Sequence, residues 1–512
     1  MTDTHAVASR KGVRSVRRDA IVVGVVALLI RVPAFFAPQP LGFDDGQFAM
    51  SVIAMRHGGL PFRQVFSSQG PLFLPIAWLG DLITFQRLDS PRAASVAAGV
   101  ILAVLVLLIG RRLTSHGAAF LAAVLVALSG SVLWTTGPLT SDGIGEALTA
   151  ACVLTALAYA RRPSFRRAVL VGVLAGCALA VKSLLVIPGL LAAGLWVLTR
   201  HREPRRRMRD ALLIPVVAVA TLLAASIPWG LSRVYDQYVR YHTDAVADRP
   251  IAANASKLIR TLFERDAPLL AAALIAFIAA FVFAARRRDP ARSAPADPGE
   301  RHAWYPVAVW LLGTLAVVLT ESPMWRNHVA HVVVPLAILV GVACASGRVG
   351  ALATVVALLL APWSVVHLGE LIRPQPFRGI EASRQRILTQ LPPGALVISD
   401  TPGFVWRAGR RVPDRFVDVS ILRITSPTAS LRLTGADVVR AADRADVCAV
   451  LRWSDQRFTR FPHLGARLRA VGYRVALVNH GTAEVLWVKR ECRPDGRAGR
   501  AIAAVAPPRS PG

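Results

Sequence analysis

Lysine is nearly missing from this chain: among 512 residues it stands only at positions 11, 182, 257 and 489. Acidic residues are also scarce, 31 against 60 lysines and arginines, which leaves a net charge of +29. Charged residues of both signs make up only 18% of the chain, below the ~25% of ordinary soluble domains. Cysteine is limited to five positions. They show no CxxC or Cys/His spacing, which excludes a zinc module or a disulfide-dense scaffold. No repeat of fixed period runs through the chain, and no small-x-small cleavage site follows the first apolar run.

What is abundant is apolar sequence, 54% of all residues, gathered into runs that approach the ~20 residues needed to cross a bilayer. A +29 charge on a soluble protein would point to nucleic acid. Here much of the arginine lies in short clusters between apolar runs, where positive charge fixes orientation, so no nucleic-acid partner is expected. Residues 1–19, with Arg10, Lys11, Arg14, Arg17 and Arg18, form a basic N-terminus expected in the cytoplasm. About eleven transmembrane helices follow, near 20–36, 92–110, 116–134, 146–160, 168–181, 184–199, 211–229, 267–285, 303–320, 329–345 and 349–365. Between the first two lies an outer loop, 37–91, with two shorter segments near 46–58 and 71–86 expected as interfacial helices. With those two kept out of the membrane, each main arginine cluster between helices falls on the cytoplasmic side. These include Arg111 and Arg112, Arg161 to Arg167, Arg200 to Arg209, and Arg286 to Arg288.

Beyond residue 366 no run of spanning length remains. Glu381 to Leu391 has a helical pattern, and β-branched runs at Ala395–Ser399, Val447–Leu451, Tyr473–Val478 and Val485–Val488 predict strands. The fold class expected is thus an all-α polytopic membrane bundle over 20–365 with a small extracytoplasmic α/β domain over 366–492. Residues 289–301 are expected as a linker and 493–512 as a disordered tail. Cys448 lies in a predicted strand and Cys492 just past the last one. If those strands are neighbours the geometry allows a disulfide between the two; the alternative is a buried, unpaired Cys448.

The first outer loop carries the most chemistry. It reads Gly42-Phe43-Asp44-Asp45-Gly46-Gln47, then Gly58-Gly59-Leu60-Pro61-Phe62-Arg63, then Ser68-Gln69-Gly70-Pro71-Leu72. Two adjacent carboxylates at the exit of a membrane helix either cap the next helix or form a pair in which one pKa rises or a metal is held. Asp142 precedes an apolar run, with Glu146 one turn later on the same side. Each is either a helix-terminus carboxylate or an acid lining a cavity. Lys182 sits at a membrane helix end, where it either snorkels or meets an anion. Arg326, His328 and His331 gather at the start of another helix; His331 is alternatively a packing histidine. Tyr235, Tyr238 and Tyr241, interleaved with Arg233 and Arg240, suit a helix at headgroup level.

The acidic pair, the Gly-Gly-Leu-Pro-aromatic-Arg stretch and the Gly-Pro-Leu element together resemble the GT-C superfamily. The likeness is greatest to its protein O-mannosyltransferase and aminoarabinose-transferase-like bacterial branch. It extends through Leu139-Thr140-Ser141-Asp142, through Gly176 to Lys182, and to Arg326-Asn327-His328, about residues 20–345. The resemblance implies a glycosyltransferase of the cytoplasmic membrane that takes a sugar from a polyprenyl-phosphate donor on the outer face, with a glycan, lipid or protein acceptor of the envelope. The family's key acid falls on Asp44, with Asp45 beside it. Gln69 stands where the family often has Lys or His, and so brings no charge to a phosphate. On this reading Asp44 is a general base, and Asp45, Asp142 and Glu146 line the cavity. Lys182, Gln69, Arg326, His328 and His331 hold the donor phosphate, and the resemblance leaves dependence on a divalent metal open, since family members differ. The competing expectations are a transporter or lipid flippase, or a non-catalytic scaffold that binds cell-wall polymer.

Overall fold

The computed structural model describes residues 2–200, 204–244, 250–286, 304–345, 347–424, 432–454 and 457–492. The expected linker at 289–301 and the tail after residue 493 lie outside the described residues. In chain order the main helices are α1 (Thr2–Phe35), α2 (Phe43–Arg56), α3 (Phe73–Ile83), α4 (Ala93–Leu113), α5 (His116–Leu128), α6 (Gly130–Thr136), α7 (Ser141–Arg161), α8 (Phe165–Leu179), α9 (Ile187–Arg200) and α10 (Pro204–Ser226). They continue with α11 (Ile251–Arg286), α12 (Tyr305–Thr320), α13 (Ala330–Ala343), α14 (Gly347–His367), α15 (Gly379–Thr389), α16 (Pro402–Arg407), α17 (Gly435–Asp443) and α18 (Leu464–Ala470). Four strands follow the membrane helices: β1 (Leu396–Ser399), β2 (Val447–Arg452), β3 (Tyr473–Val478) and β4 (Val485–Lys489). The chain divides into two compact units.

The first unit comprises Met1–Phe35, Ser95–Ala225 and Ala247–Arg373. It is a helix bundle in which α7 packs on α8 and α9, α12 on α9, α13 on α5, and α11 on α14. Each apolar run expected to span folds as a helix. Among the described residues six helices are long and apolar enough to cross a membrane, or seven if α5 and α6 are one bent span; α12, for example, is shorter. In α10 and α14 only 17% of the most apolar window is buried within the protein. Helices this apolar and this uncovered have a lipid-facing surface, and the protein is a multi-pass membrane protein.

Polar side chains fix the bends. α5 and α6 meet at 58° about Ser129, whose hydroxyl accepts the Val132 N–H and donates to Asp266 at 2.5 Å. Ser131 donates to the other oxygen of Asp266. Asp266 itself leaves helical geometry inside α11, two residues before Pro268, whose ring cannot accept a regular preceding turn. Residues 251–265, expected in a loop, are instead the first half of this kinked helix. Arg31 is fully buried in α1 and donates to Thr136 Oγ1 at 2.8 Å and Ala27 O at 2.7 Å. Gly99 makes room for it: a Cβ there would lie 2.2 Å from Arg31 Nε.

The second unit comprises Phe36–Ala94, Ser226–Val246 and Pro374–Gly512. Its sheet has the order β1-β2-β4-β3. β1 and β2 are parallel; β2 with β4 and β4 with β3 are antiparallel. Every residue of β1 and of β4 is buried, as β-branched runs covered on both faces require. Cys448 and Cys492 form a disulfide with Cα atoms 5.6 Å apart, the outcome that adjacency of β2 and β4 allows. α2 packs against α16 so closely that a Cβ on Gly46 would lie 2.5 Å from Gly403 Cα. The stretch 231–244 is helical throughout, with a π-helical turn at Tyr235–Arg240. Only Tyr235 keeps the exposure expected of a headgroup-level aromatic. Tyr238 packs with Phe62 and Val234, and the buried Tyr241 donates to Ser420 O at 3.0 Å.

Candidate active site

α2 starts after Gly42, whose φ of 129° lies outside the range open to most side chains. Asp44 and Asp45 occupy its first turn and Arg56 its last, both favourable to the helix dipole. The N-cap position itself is Gly42, which has no side chain to cap with. The two aspartates have different surroundings. Asp45 is buried and faces Arg92, itself fully buried, at 2.6 Å. It also accepts the Leu41 N–H at 2.8 Å. Arg92 donates further to the carbonyls of Ala37 and Gln39, so this ion pair ties the loop after Phe35 to the turn Ser90–Arg92 that precedes α4. Asp44 is half-buried, with the Gln47 amide 3.5 Å away.

The rest of the first loop is held by groups that gave no sequence signal. Asp418 is buried and accepts from the backbone and hydroxyl of Ser68, at 3.3 and 3.0 Å, and from Ser420. Burial pushes its carboxyl above the usual range, opposed by these hydrogen bonds. His242 reaches Ser68 O at 2.9 Å. Gln69 is half-buried, and its amide lies 3.5 Å from Ser68 Oγ. Arg457 lies with its Cζ 3.7 Å from the centre of the Phe43 ring, and Arg423 with its Cζ 6.0 Å from the same ring. A cavity of about 830 Å³ in this unit is lined by Met50, Ile53 and Phe66 and by Arg63, Arg411 and Arg444.

In the first unit five of the expected site residues form one cluster, buried except for the half-buried Lys182. Asp142 lies 2.9 Å from Lys182 Nζ, 3.2 Å from His331 Nε2 and 3.9 Å from His328 Nε2. The other ring nitrogen of His331 meets Glu146, and that of His328 meets Glu321 at 2.5 Å. Thr140 and Ser141 open α7 with Asp142 in its first turn, and the i, i+4 spacing of Asp142 and Glu146 puts both on the face that receives His331. Arg326 is apart from this cluster and pairs with Glu264. Among the described residues no group of three or more His, Cys, Asp or Glu is arranged to hold a metal ion.

Residues 68–230 match the model of the dolichyl-phosphate-mannose-protein mannosyltransferase family. Among solved structures, ArnT from Cupriavidus metallidurans in the apo state superposes with a TM-score of 0.63 at 13% identity, over 91% of this chain and 97% of that one. The same protein bound to undecaprenyl phosphate gives 0.61 at 14% identity over the same shares. The fold is that of ArnT. The likeness of fold therefore runs past the residues that carried the resemblance in the sequence, into the C-terminal part of the chain. The archaeal oligosaccharyltransferase AglB from Archaeoglobus fulgidus, in complex with an inhibitory peptide and a dolichol-phosphate, aligns at 13% identity with a TM-score of 0.48 over 91% of this chain and 74% of its own. Among curated proteins none matches this chain in sequence.

Proposed function

We propose that this protein is a glycosyltransferase that moves a sugar from a polyprenyl-phosphate donor to a hydroxyl acceptor on the outer face of the cytoplasmic membrane. The N-terminus is cytoplasmic in this reading, and the second unit lies outside. The observation that carries it is the difference in burial within the acidic pair. Asp45 is buried against Arg92 and the Leu41 N–H, whereas Asp44, at the start of α2, is only half-buried and is the one of the two that a substrate can reach. The family model over residues 68–230 and the ArnT fold support the same chemistry, and ArnT is a protein that has been seen with undecaprenyl phosphate bound.

The acceptor hydroxyl is the weak reactant, since its pKa lies far above 7. Asp44 takes its proton as the oxygen attacks the anomeric carbon, a contribution of about 10²–10⁴-fold. The bond between that carbon and the phosphate oxygen breaks, and the phosphate leaves with the electron pair. A phosphate needs no proton to depart at neutral pH, but its charge must be held. Attack opposite the leaving group inverts the anomeric centre. In the first unit Lys182 is the proposed cation for a phosphate, with His328 and His331 in the same cluster; Arg326 pairs with Glu264 and is the weaker candidate. The cavity beside α2, lined by apolar residues and by arginine and aspartate side chains such as Arg63, Arg411, Asp414 and Asp437, is the proposed place for the acceptor.

Asp44→Asn is nearly isosteric. It is expected to leave folding and undecaprenyl-phosphate binding intact while turnover falls by about 10²-fold or more. Wild-type turnover in this variant removes Asp44 as the base, and a product with retained anomeric configuration rejects single displacement.

A further inference from the structure

The cavity beside α2 draws on all three stretches of chain that make up the second unit. Its volume of about 830 Å³ is within the range of sites that enclose a small ligand. Its apolar lining is buried, with Met50, Ile53, Phe66 and Phe416. Its charged lining reaches solvent. Among the described residues five arginines take part, of which Arg63, Arg415, Arg440 and Arg444 are exposed and Arg411 is half-buried. Three aspartates stand with them, Asp414, Asp437 and Asp446.

Two of these carboxylates are taken up inside the unit. Asp446 is engaged by Arg444 at 2.6 Å. Asp437 accepts the N–H and the hydroxyl of Thr434, and lies 3.4 Å from Arg440 and 3.9 Å from Arg415. Asp414 is exposed and forms no ion pair among the described residues. It is within electrostatic reach of Arg411, Arg444 and His57 together, so one carboxylate is shared among several basic groups. Arg63 and Arg411 likewise form no ion pair among the described residues; Arg63 donates to the carbonyl of Pro228 at 3.3 Å. Positive charge is in excess, and a carboxylate stands within it.

That mixture selects among ligands. A hydroxyl both donates and accepts, so it can meet a carboxylate and a guanidinium in one site. A ligand carboxylate matches the planar fork of arginine and brings a single negative charge. A phosphate monoester brings about −1.5 to −2 and is repelled more strongly by Asp414. The buried apolar side chains suit the C–H face of a sugar ring. We propose that this cavity binds a sugar acid, a saccharide whose carboxylate is held by Arg63 and Arg411 and whose hydroxyls reach Asp414. This names the class of acceptor for the transfer proposed above, and rests on the placing of the acceptor in this cavity.

The test titrates three probes against the full-length protein in phosphatidylcholine nanodiscs: trigalacturonate, its methyl ester and tetra-aspartate. The ester keeps the hydroxyls without the charge, and the peptide keeps the charge without the hydroxyls. Trigalacturonate is expected to bind about 10-fold more tightly than either. Arg63→Gln and Arg411→Gln each remove a charge-assisted donor and are expected to weaken it by about 10–100-fold, with the ester changed by less than about twofold. Arg63 is exposed, so its variant reads binding even where Arg411→Gln impairs folding. Equal binding of trigalacturonate and its ester overturns the proposal, as does unchanged trigalacturonate binding in every variant that folds. Binding of tetra-aspartate as tight as that of trigalacturonate overturns it in favour of an acidic peptide. Sugar transfer is scored separately. Trigalacturonate binding that needs Arg63, in a protein showing no transfer, upholds the sugar-acid site and rejects the enzymatic reading. Transfer to a neutral acceptor at a rate that neither folded variant changes upholds that reading and overturns the sugar acid.

Discussion

Arg92 spreads its donors over the Asp45 carboxylate and the carbonyls of Ala37 and Gln39, and the side chains of Arg92 and Asp45 are both out of contact with solvent. Removing one partner of a buried ion pair leaves the other charged and dry, a loss of about 3–5 kcal/mol. Arg92→Leu is therefore expected to lower the thermal stability of the purified protein by that amount. The double variant Asp45→Asn/Arg92→Leu recovers part of it, because a neutral amide can still accept from the Leu41 N–H. A change below about 0.5 kcal/mol in Arg92→Leu would show that the pair does not anchor the loop. Asp44, Asp45, Asp142 and Lys182 stood out in the sequence because a charge beside an apolar run is costly and asks for a reason. Arg423 and Arg457 gave no such signal. They are two of 60 basic residues, in polar segments of no clear periodicity, and folding alone brings them to Phe43.

At the scale of elements, the strands were legible because runs such as Val485–Leu486–Trp487–Val488 combine β-branched and aromatic residues between turn signals; the structure extends that run by one residue. The first half of α11 was not legible. Lys257, Arg260, Glu264 and Arg265 interrupt the apolar pattern, although such side chains are good helix formers. Tyr238 and Tyr241 were misplaced at a membrane surface because spacing alone does not distinguish an interfacial aromatic from one covered by distant chain. The antiparallel pairing of β2 with β4 is what brings Cys492 to Cys448, 44 residues away. Closing a loop of that length removes denatured-state entropy worth about 4 kcal/mol in the chain model, with measured values commonly 2–4. Cys448→Ser is expected to destabilise the protein within this range. Thiol labelling of the denatured, non-reduced wild type should mark Cys152, Cys177 and Cys344 but neither Cys448 nor Cys492; labelling at Cys448 would contradict the bond.

For the molecule as a whole, the arginine clusters between helices set the orientation proposed above. A reporter fused after Arg200 is expected to read cytoplasmic and one fused after Leu371 extracytoplasmic; a cytoplasmic signal at Leu371 would refute the arrangement. The bundle was legible in outline from apolar run length, whereas the make-up of the second unit was not, since no local pattern tells that 36–94 and 226–246 share a compact unit with 374–512. That assembly constrains how the protein is made. Ser68 leaves the ribosome 350 residues ahead of Asp418, roughly 20–70 s at ordinary rates of synthesis. Phe62 likewise precedes the Tyr238 that covers it. The nascent chain must therefore hold an unfinished, partly apolar loop until its last quarter is translated, and over that interval the yield of protein depends on translocation and chaperoning rather than on the stability of the finished structure.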